Sequence, residues 1–380
     1  MFKYIITFLF VLILVYFNYE NDKFNGKSLK LGLSIPKSGI MHAVGDAVLS
    51  GSNAYFLHAN QNKLLGDVKV RLIVYDDKYE PDLTVENMKK LIDHNIFAFF
   101  GFVGTPTVKK ILPNLINSEI PLIAPFTGAS FLRNNNGIDI VNFRSSYKEE
   151  IDHTIEYLIS IKNISRFAVF YQNDDYGEEG FVSLLHSLNE RGLKLSGEGT
   201  YKRNTLSIRH AFHEIKSAKP EAVFMIGAYK ANALFIKTAK KNPIFKNTLF
   251  CNISFGDADE MIKELDYNTK NLLFSQVVPS YHDSSRPVIL QYKKMMKKHF
   301  PEQPLGFISL EAFLAAKSIV KALKNVDGSF TRDKFLKEIK KLPRNTLDGV
   351  SINYKNNQLH NKVYLFQYIN SQFIEVHNEN

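Results

Sequence analysis

Apolar residues fall in short continuous runs along the chain from residue 29 onward. Runs that are apolar at consecutive rather than alternate positions are typical of parallel strands covered on both faces. Eight runs of this kind predict strands: Leu29–Ile35, Val70–Tyr75, Ile96–Gly101, Pro121–Ala124, Phe167–Tyr171, Ala222–Ile226, Thr248–Asn252 and Leu272–Val277.

Between these runs, apolar residues recur at helical spacing. One stripe that would face a sheet consists of Val108, Ile111, Leu112, Leu115 and Ile116. Ser146 with Glu149 forms a capping-box signature, and Thr331 is the expected N-cap of a later helix. Alternating strands and helices predict an α/β fold with right-handed crossovers.

The alternation pauses at residues 139–146, which we interpret as the first crossing between two lobes. The C-terminal part differs, because three segments predict antiparallel strands: Gly349–Tyr354, Lys362–Ile369 and Gln372–Val376. Turns are expected at Lys355–Gln358 and at Asn370-Ser371.

The N-terminus carries an apolar run, Tyr4–Phe17, after the single charge of Lys3. This pattern is typical of a secretory signal, and as a helix the run would span only about 21 Å. No small-residue cleavage site follows it, and no cysteine directly follows the run to carry a lipid anchor. Residues 1–28 are therefore either a cleaved signal peptide or an uncleaved membrane anchor, and both predict export.

Composition excludes several classes of protein. The 380 residues include 48 Lys+Arg and 38 Asp+Glu, so the formal net charge is +10. Most of the lysine pairs lie on predicted helices, where solvated faces are expected, and no compact basic stripe indicates nucleic-acid binding. The single cysteine, Cys251, rules out an intramolecular disulfide and a cysteine-based zinc cluster.

Catalytic and cofactor motifs are absent from the sequence. No G-x-G-x-x-G follows the first strand, and there is no G-x-S-x-G nucleophile elbow. The densest His/Glu cluster, His210, His213 and Glu214, lacks an evident third ligand and fits a solvated helix face. We therefore expect a binding protein rather than an enzyme, with no metal and no cofactor.

Loops rich in small, hydroxyl and tyrosine residues follow four of the predicted strands. They are Gly101–Thr107, Pro125–Ser130, Asp174–Gly177 and Gly227–Lys230. In open parallel sheets, ligands bind beyond the carboxyl ends of the strands, often at helix N-termini. Two loops from each half predict a ligand cleft between the lobes, with the first two loops opening onto helix starts that favour an anion.

From about Leu29 to the C-terminus, the sequence resembles the type I periplasmic binding proteins of the branched-chain amino acid class. The matching stretches are Tyr75–Pro81, Gly101–Thr107, Ile123–Ser130, Phe143–Tyr147, Tyr171–Gly177, Ile226–Lys230, Asn252–Phe255, Val277–Pro279 and Ser309–Glu311. The resemblance implies two lobes, each a parallel sheet covered by helices, joined by three hinge crossovers and closing on a ligand. Lobe 1 would comprise residues 29–146 and 276–347, and lobe 2 residues 147–275 and 348–380.

The resemblance also implies several ligand contacts. Thr105 resembles the hydroxyl that bonds an amino-acid carboxylate, and Phe126 with Thr127 matches the loop that holds the polar end of the ligand. Tyr176 and Tyr229 match tyrosines of the second lobe that close over the ligand.

The ammonium site departs from the family pattern. The acidic residue of amino-acid binders aligns near Ser254, which carries no charge, and Asp257 is the nearest candidate to replace it. The departure favours a ligand whose carboxylate is required and whose α-amino group is helpful rather than essential.

The sequence thus predicts an exported, periplasmic substrate-binding protein that delivers a small amino-acid-like or carboxylate ligand to the permease of an ABC importer. The alternative is a membrane-tethered ligand-sensing module, held by residues 4–17, that reports to a membrane sensor protein. The lack of a small-residue cleavage site after Phe17 favours the tethered sensing module, whereas the absence of a signalling domain in the sequence favours the transport protein.

Overall fold

The structure is a computed structural model that describes residues 28–134 and 137–376. The apolar run Tyr4–Phe17 lies outside these ranges, so its role as a signal or an anchor stays a prediction. Within the two ranges, no helix is long and apolar enough to cross a membrane.

Strands and helices alternate through most of the described chain. The strands are β1 (Ser28–Ile35), β2 (Lys69–Asp76), β3 (Ala98–Phe100), β4 (Leu122–Ile123), β5 (Ile140–Val141), β6 (Phe167–Gln172), β7 (Leu195–Tyr201), β8 (Ala222–Ile226), β9 (Leu249–Asn252), β10 (Leu272–Gln276), β11 (Tyr364–Ile369) and β12 (Gln372–Val376). The helices are α1 (His42–Gln61), α2 (Pro81–Asp93), α3 (Thr105–Ser118), α4 (Tyr147–Ser160), α5 (Asp175–Asn189), α6 (Arg209–Ala218), α7 (Tyr229–Lys240), α8 (Ala258–Glu264), α9 (Pro287–His299), α10 (Phe307–Lys324) and α11 (Arg332–Lys340).

Lobe 1 is built on a parallel sheet with the strand order β2-β1-β3-β4-β5. Helix α10 packs along α1, and α9 lies against the same helix. The guanidinium of Arg332 ties α11 to this lobe, because it donates to the carbonyls of Ile96 and Phe97, both at 3.0 Å. The late helices α9–α11 therefore complete the lobe that the first strands begin.

Lobe 2 is built on a seven-stranded sheet with the order β12-β11-β10-β9-β8-β6-β7. The strands β6–β10 pair in parallel, whereas β11 and β12 pair in antiparallel fashion at one edge. The chain crosses between the lobes at residues 142–146, 277–286 and 341–363. Three crossovers of this kind allow the lobes to move as units about a hinge.

Several predicted elements form as expected. The strands Ala222–Ile226 and Gln372–Val376 have the predicted bounds. The Ser146 hydroxyl accepts from the Glu149 amide at 3.2 Å, and the Glu149 carboxylate accepts from the Ser146 amide at 2.7 Å, so the capping box is confirmed. Thr331 caps α11 by accepting from the Lys334 amide.

Other predictions were wrong. The segment Gly349–Tyr354 forms no strand, because its amides pair with loops: the Ile352 amide donates to Arg344 and the Asn353 amide to Leu359. Strand β7 was missed, because this edge strand contains two glycines among polar residues and has apolar residues only at its ends, Leu195 and Tyr201. The apolar stripe of α3 is narrower than predicted, since Ile116 is 56% exposed.

A buried ion network joins the two lobes at the hinge. The Arg144 guanidinium, in the first crossover, donates from Nε and Nη2 to the two carboxylate oxygens of Glu311 on α10, both at 3.0 Å. Its Nη2 also donates to the Ser254 hydroxyl at 2.9 Å. Both charged side chains are almost completely buried, at 1% and 6% exposed.

A second carboxylate, that of Glu150 on α4, extends this network into lobe 2. It accepts from the amide and the hydroxyl of Ser254, both at 2.8 Å, and from the Ser275 hydroxyl on β10 at 2.6 Å. Burial raises the pKa of Glu150, while the positive charge of Arg144 opposes that effect. The network therefore connects lobe 1, the first crossover and lobe 2 through charge-assisted hydrogen bonds.

Replacing Arg144 by methionine should destabilise the protein by about 3–5 kcal/mol, because the Glu311 carboxylate stays buried without its partner. Urea unfolding of the full chain measures this loss. The double variant Arg144→Met/Glu311→Gln is the matched control, and it should regain part of the stability, because Glu311 is then neutral and Glu150 keeps its hydrogen bonds to Ser254 and Ser275. A loss below about 1 kcal/mol in the single variant would contradict this role for the ion pair.

Candidate ligand-binding site

Three hydroxyl groups meet in the cleft where the lobes face each other. The hydroxyls of Thr105 and Thr127 are 2.7 Å apart, and the Tyr147 hydroxyl lies 3.4 Å from the first and 3.3 Å from the second. All three residues are buried. Thr105 begins α3, Thr127 follows β4 and Tyr147 begins α4, so the carboxyl ends of two strands and one crossover converge here. We call these residues the hydroxyl cluster.

Two glycines allow the aromatic rings of the site to approach the backbone. Gly104 has a φ of +109°, and a Cβ there would lie 2.3 Å from a ring carbon of Tyr79. A Cβ on Gly128 would lie 2.5 Å from the Tyr147 ring. Any larger residue at either position would push these rings out of the cleft.

Tyr176 lies next to the hydroxyl cluster and is fully buried. Its ring is 5.4 Å from that of Tyr147, centroid to centroid, and 4.6 Å from that of Phe255. Its hydroxyl makes no hydrogen bond to any described residue, and burial raises its pKa well above the usual value. An unpaired buried hydroxyl costs about 1–3 kcal/mol. The proton of Tyr176 is therefore available to a ligand.

Phe126 is buried against the hinge network. The guanidinium carbon of Arg144 lies 4.2 Å from the centroid of its ring, at cation–π distance. The remaining nitrogen of that guanidinium, Nη1, makes no hydrogen bond to the described part of the chain. Two buried donor groups without acceptors, the Tyr176 hydroxyl and Nη1 of Arg144, thus flank the rings of Phe126 and Phe255.

Tyr229 begins α7 at the end of β8 and is also buried. Burial raises its pKa, with a further contribution from the Asp257 carboxylate. The Lys230 ammonium lies 5.7 Å from its ring centroid. Tyr229 therefore lies on the Asp257 side of lobe 2, whereas Tyr176 lies beside the hydroxyl cluster.

The predicted ammonium site is arranged differently from the expectation. The Ser254 hydroxyl donates to Glu150 and accepts from Arg144, so the protein already uses it. The Asp257 carboxylate caps α8 by accepting from the Glu260 amide at 3.2 Å. Burial and the neighbouring Asp259 raise the pKa of Asp257 to about 8, so its carboxyl is mostly neutral at pH 7. Neither group presents a ready negative charge to an ammonium.

Asp257 also lines a cavity of about 290 Å³ between α1, α8 and the loop before α10. Five acidic side chains and one lysine, Lys263, line this cavity, and the acidic ones are Asp46, Asp257, Asp259, Glu260 and Glu302. The Asp259 carboxylate is used within the protein, since it accepts from the Tyr281 hydroxyl and the Phe307 amide. Among the described residues, no group of three or more His, Cys, Asp or Glu residues is arranged to hold a metal ion.

Polar contacts hold the lobes together on both flanks of the cleft. On one flank, the Glu80 carboxylate of lobe 1 accepts from Arg203 at 2.9 Å and from Asn204 at 2.6 Å. On the other flank, the Lys109 ammonium lies 2.5 Å from the Asp175 carboxylate. These contacts define a closed arrangement of the lobes.

The loop 125–130 was expected to open onto a helix start that favours an anion. It leads only into a single 3-10 turn, Ser130–Leu132. The amide and the hydroxyl of Ser130 both donate, at 2.8 Å, to the Glu179 carboxylate of α5 in lobe 2. The anion at this loop is thus the carboxylate of Glu179 rather than a ligand, and its hydrogen bonds to Ser130 are part of the contact between the lobes.

Sequence reasoning missed Tyr79, Tyr147, Arg144 and Phe255. All four lie in stretches that carry the family resemblance, Tyr75–Pro81, Phe143–Tyr147 and Asn252–Phe255, so the stretches were found without the roles of these residues. Their contacts join positions far apart in the sequence, and residue spacing gives no sign of them.

Known proteins share this architecture over nearly the whole chain. Residues 28–372 match the family model described as "Periplasmic binding protein". The Leu/Ile/Val-binding protein homolog 7 of Brucella abortus (strain 2308) is 20% identical over 315 residues, which cover 79% of this chain and 78% of the relative.

Solved structures of other proteins have the same fold. A possible leucine/isoleucine/valine-binding protein from Rhodopirellula baltica SH 1 superposes with a TM-score of 0.86 at 30% identity, over 92% of this chain and 96% of the other. A substrate-binding periplasmic protein from Ralstonia solanacearum gives a TM-score of 0.85 at 23% identity, over 92% and 100% of the two chains. The predicted family and the predicted two-lobed α/β fold are confirmed. The chain belongs to the type I periplasmic binding proteins of the branched-chain amino acid class, a family of ligand-binding proteins whose location is periplasmic.

Proposed function

We propose that this protein captures a small ligand with a carboxylate group in the interlobe cleft and delivers it to the permease of an ABC importer. The observation that carries the proposal is the buried hydroxyl cluster of Thr105, Thr127 and Tyr147, with the unpaired hydroxyl of Tyr176 beside it. The names of the relatives, which refer to leucine, isoleucine and valine, support an amino-acid-like ligand.

The polarity of the unpaired groups favours an acceptor on the ligand. Tyr176 and Nη1 of Arg144 are both buried donors that lack an acceptor. Gly104, the N-cap of α3, offers no side chain to the first amides of that helix, whose positive dipole end favours an anion by about 0.3–1 kcal/mol. The Arg144 charge is already balanced by Glu311, so the carboxylate would be held by neutral hydroxyls and by one N–H of a guanidinium that is already paired, which would permit its release.

The α-amino group has a smaller role in this proposal. The Ser254 hydroxyl is used by Glu150 and Arg144, and Asp257 is mostly protonated at neutral pH. An ammonium that reaches the Asp257 carboxyl would therefore lower the pKa of Asp257 and draw a proton from it. Binding of an amino acid should release protons, whereas binding of its des-amino analogue should not.

Ligand binding and lobe closure are coupled in this scheme. The hydroxyl cluster draws on the lobe 1 loops and on α4, while Tyr176 comes from α5 of lobe 2. A ligand that contacts both lobes binds the closed arrangement more tightly and so increases its population. The closed protein then presents a combined surface of both lobes to a membrane partner.

The sensing alternative is favoured by one feature, the apolar run Tyr4–Phe17 without a small-residue cleavage site after it. A tethered protein would remain at the membrane and report ligand occupancy to a neighbouring protein. The two proposals share the ligand site and differ in the fate of the N-terminus.

Calorimetric titration of one amino acid, its amide and its des-amino acid tests the ligand proposal. We expect the free acid to bind, the amide to bind at least about tenfold more weakly, and the des-amino acid to keep most of the affinity, because the donors face a carboxylate. Tyr176→Phe should weaken the binding of the two acids by about 1–3 kcal/mol and should change the binding of the amide less. An amide that binds as well as the acid would overturn the carboxylate assignment.

Breaking the interlobe contact at Glu80 should weaken ligand binding without unfolding the protein. Glu80→Gln removes a partly exposed ion pair with Arg203, so the affinity for the ligand should fall by about two- to fivefold. Because salt screens this ion pair, high salt should weaken ligand binding more in the wild type than in the variant. Lys63→Gln, which breaks the exposed Lys63–Asp67 pair within lobe 1, is the control. If Glu80→Gln and the wild type bind the ligand with equal affinity at low salt, this contact does not stabilise the closed state.

The intact mass of the protein from its native cell decides between carrier and tethered sensor. A protein with an uncleaved anchor keeps residues 4–17 and stays with membranes after washing at high salt, because the burial of apolar side chains in lipid is insensitive to charge screening. A soluble protein that begins near residues 18–28 would exclude the tethered sensor.

A further inference from the structure

Phe255 occupies the centre of the closed cleft. It is the middle residue of a short 3-10 helix, Ser254–Gly256, that follows β9 in lobe 2, and its side chain is fully buried. Its ring lies among four others, with centroid distances of 4.6 Å to Tyr176, 5.9 Å to Phe126, 6.2 Å to Tyr79 and 6.5 Å to Tyr147.

These distances show that the rings touch. Aromatic pairs in direct contact have centroids about 4.5–7 Å apart. Phe126 and Tyr176 are predicted ligand residues, and Tyr147 belongs to the hydroxyl cluster. An isobutyl or phenyl group therefore does not fit between Phe255 and any of these four neighbours while the lobes are closed and the ring keeps this position.

The backbone on both sides of Phe255 is fixed. Ser254 is held by Glu150 through its amide and its hydroxyl, and by Arg144 through the hydroxyl. Asp257 has a φ of +56° and caps α8. A Cβ on Gly256 would lie 3.1 Å from the Gly227 carbonyl, so this loop also packs closely against the end of β8. The ring of Phe255 is thus aimed into the cleft by contacts of its neighbours in the sequence.

We propose that Phe255 limits the size of the ligand, so that the protein selects short aliphatic carboxylates over branched-chain and aromatic ones. The inference rests on the carboxylate ligand of the proposed function and adds the size of the group attached to it. The donors adjoin Phe255 through the rings of Tyr147 and Tyr176, so a carboxylate with a short chain needs little of the space that the Phe255 ring fills. A longer or branched chain has to enter the space that Phe255 fills.

Calorimetric titration of the full chain with propionate and with 4-methylpentanoate, the des-amino analogue of leucine, tests this role. In the wild type, propionate should bind more tightly. In Phe255→Ala, the ratio of the 4-methylpentanoate affinity to the propionate affinity should rise at least about tenfold, because the isobutyl group then occupies the vacated space. Phe255→Leu removes less volume and keeps the site apolar, so it should give a smaller rise in the same ratio of affinities. This variant replaces Phe255→Ala in the test if the alanine variant does not fold.

Phe99→Ala is the matched control, since Phe99 is equally buried but lies in lobe 1 against Phe102, away from the cleft. Its ratio of affinities should equal that of the wild type. An unchanged ratio in both Phe255 variants, with propionate still bound, would overturn the size limit and leave the proposed function intact. Failure of both acids to bind the wild type and every variant would instead overturn the carboxylate proposal and the size limit with it.

Discussion

The buried charge of Arg144 is the constraint on which the arrangement of the cleft depends. A guanidinium removed from water needs its hydrogen bonds and a counter-charge, and in this protein Glu311 of lobe 1 and Ser254 of lobe 2 supply them. The same guanidinium lies against the ring of Phe126. One side chain in the first crossover therefore fixes the loops that carry Phe126 and Phe255 relative to each other.

The chemistry of the site follows from this arrangement. Because the strong charges are paired within the hinge network, the groups left for a ligand are mainly neutral hydroxyls on α3, on the loop after β4, on α4 and on α5, together with Nη1 of the paired Arg144. Neutral donors bind an anion less tightly than a free arginine would, and such binding suits a protein that must release its ligand. The rings around Phe255 exclude water from these donors, which strengthens each hydrogen bond they make.

Much of the fold could be predicted from the sequence, because consecutive apolar residues are a direct consequence of burial on both faces of a parallel sheet. The strand ends also located Thr105 and Thr127, since ligand loops follow the carboxyl ends of such strands. The role of Ser254 could not be foreseen, because its partners Glu150 and Arg144 lie more than a hundred residues away. The same holds for Ser130, whose anion is Glu179 of the other lobe, and for Phe255, whose neighbours come from both lobes.

A crystal structure of the protein with its tightest-binding small carboxylate tests the central claim most directly. The account predicts carboxylate oxygens within about 3 Å of the Thr105 and Thr127 hydroxyls, with the Tyr176 hydroxyl paired to the ligand and the lobes closed. A ligand bound with its carboxylate turned away from these hydroxyls, or bound outside the interlobe cleft, would contradict it.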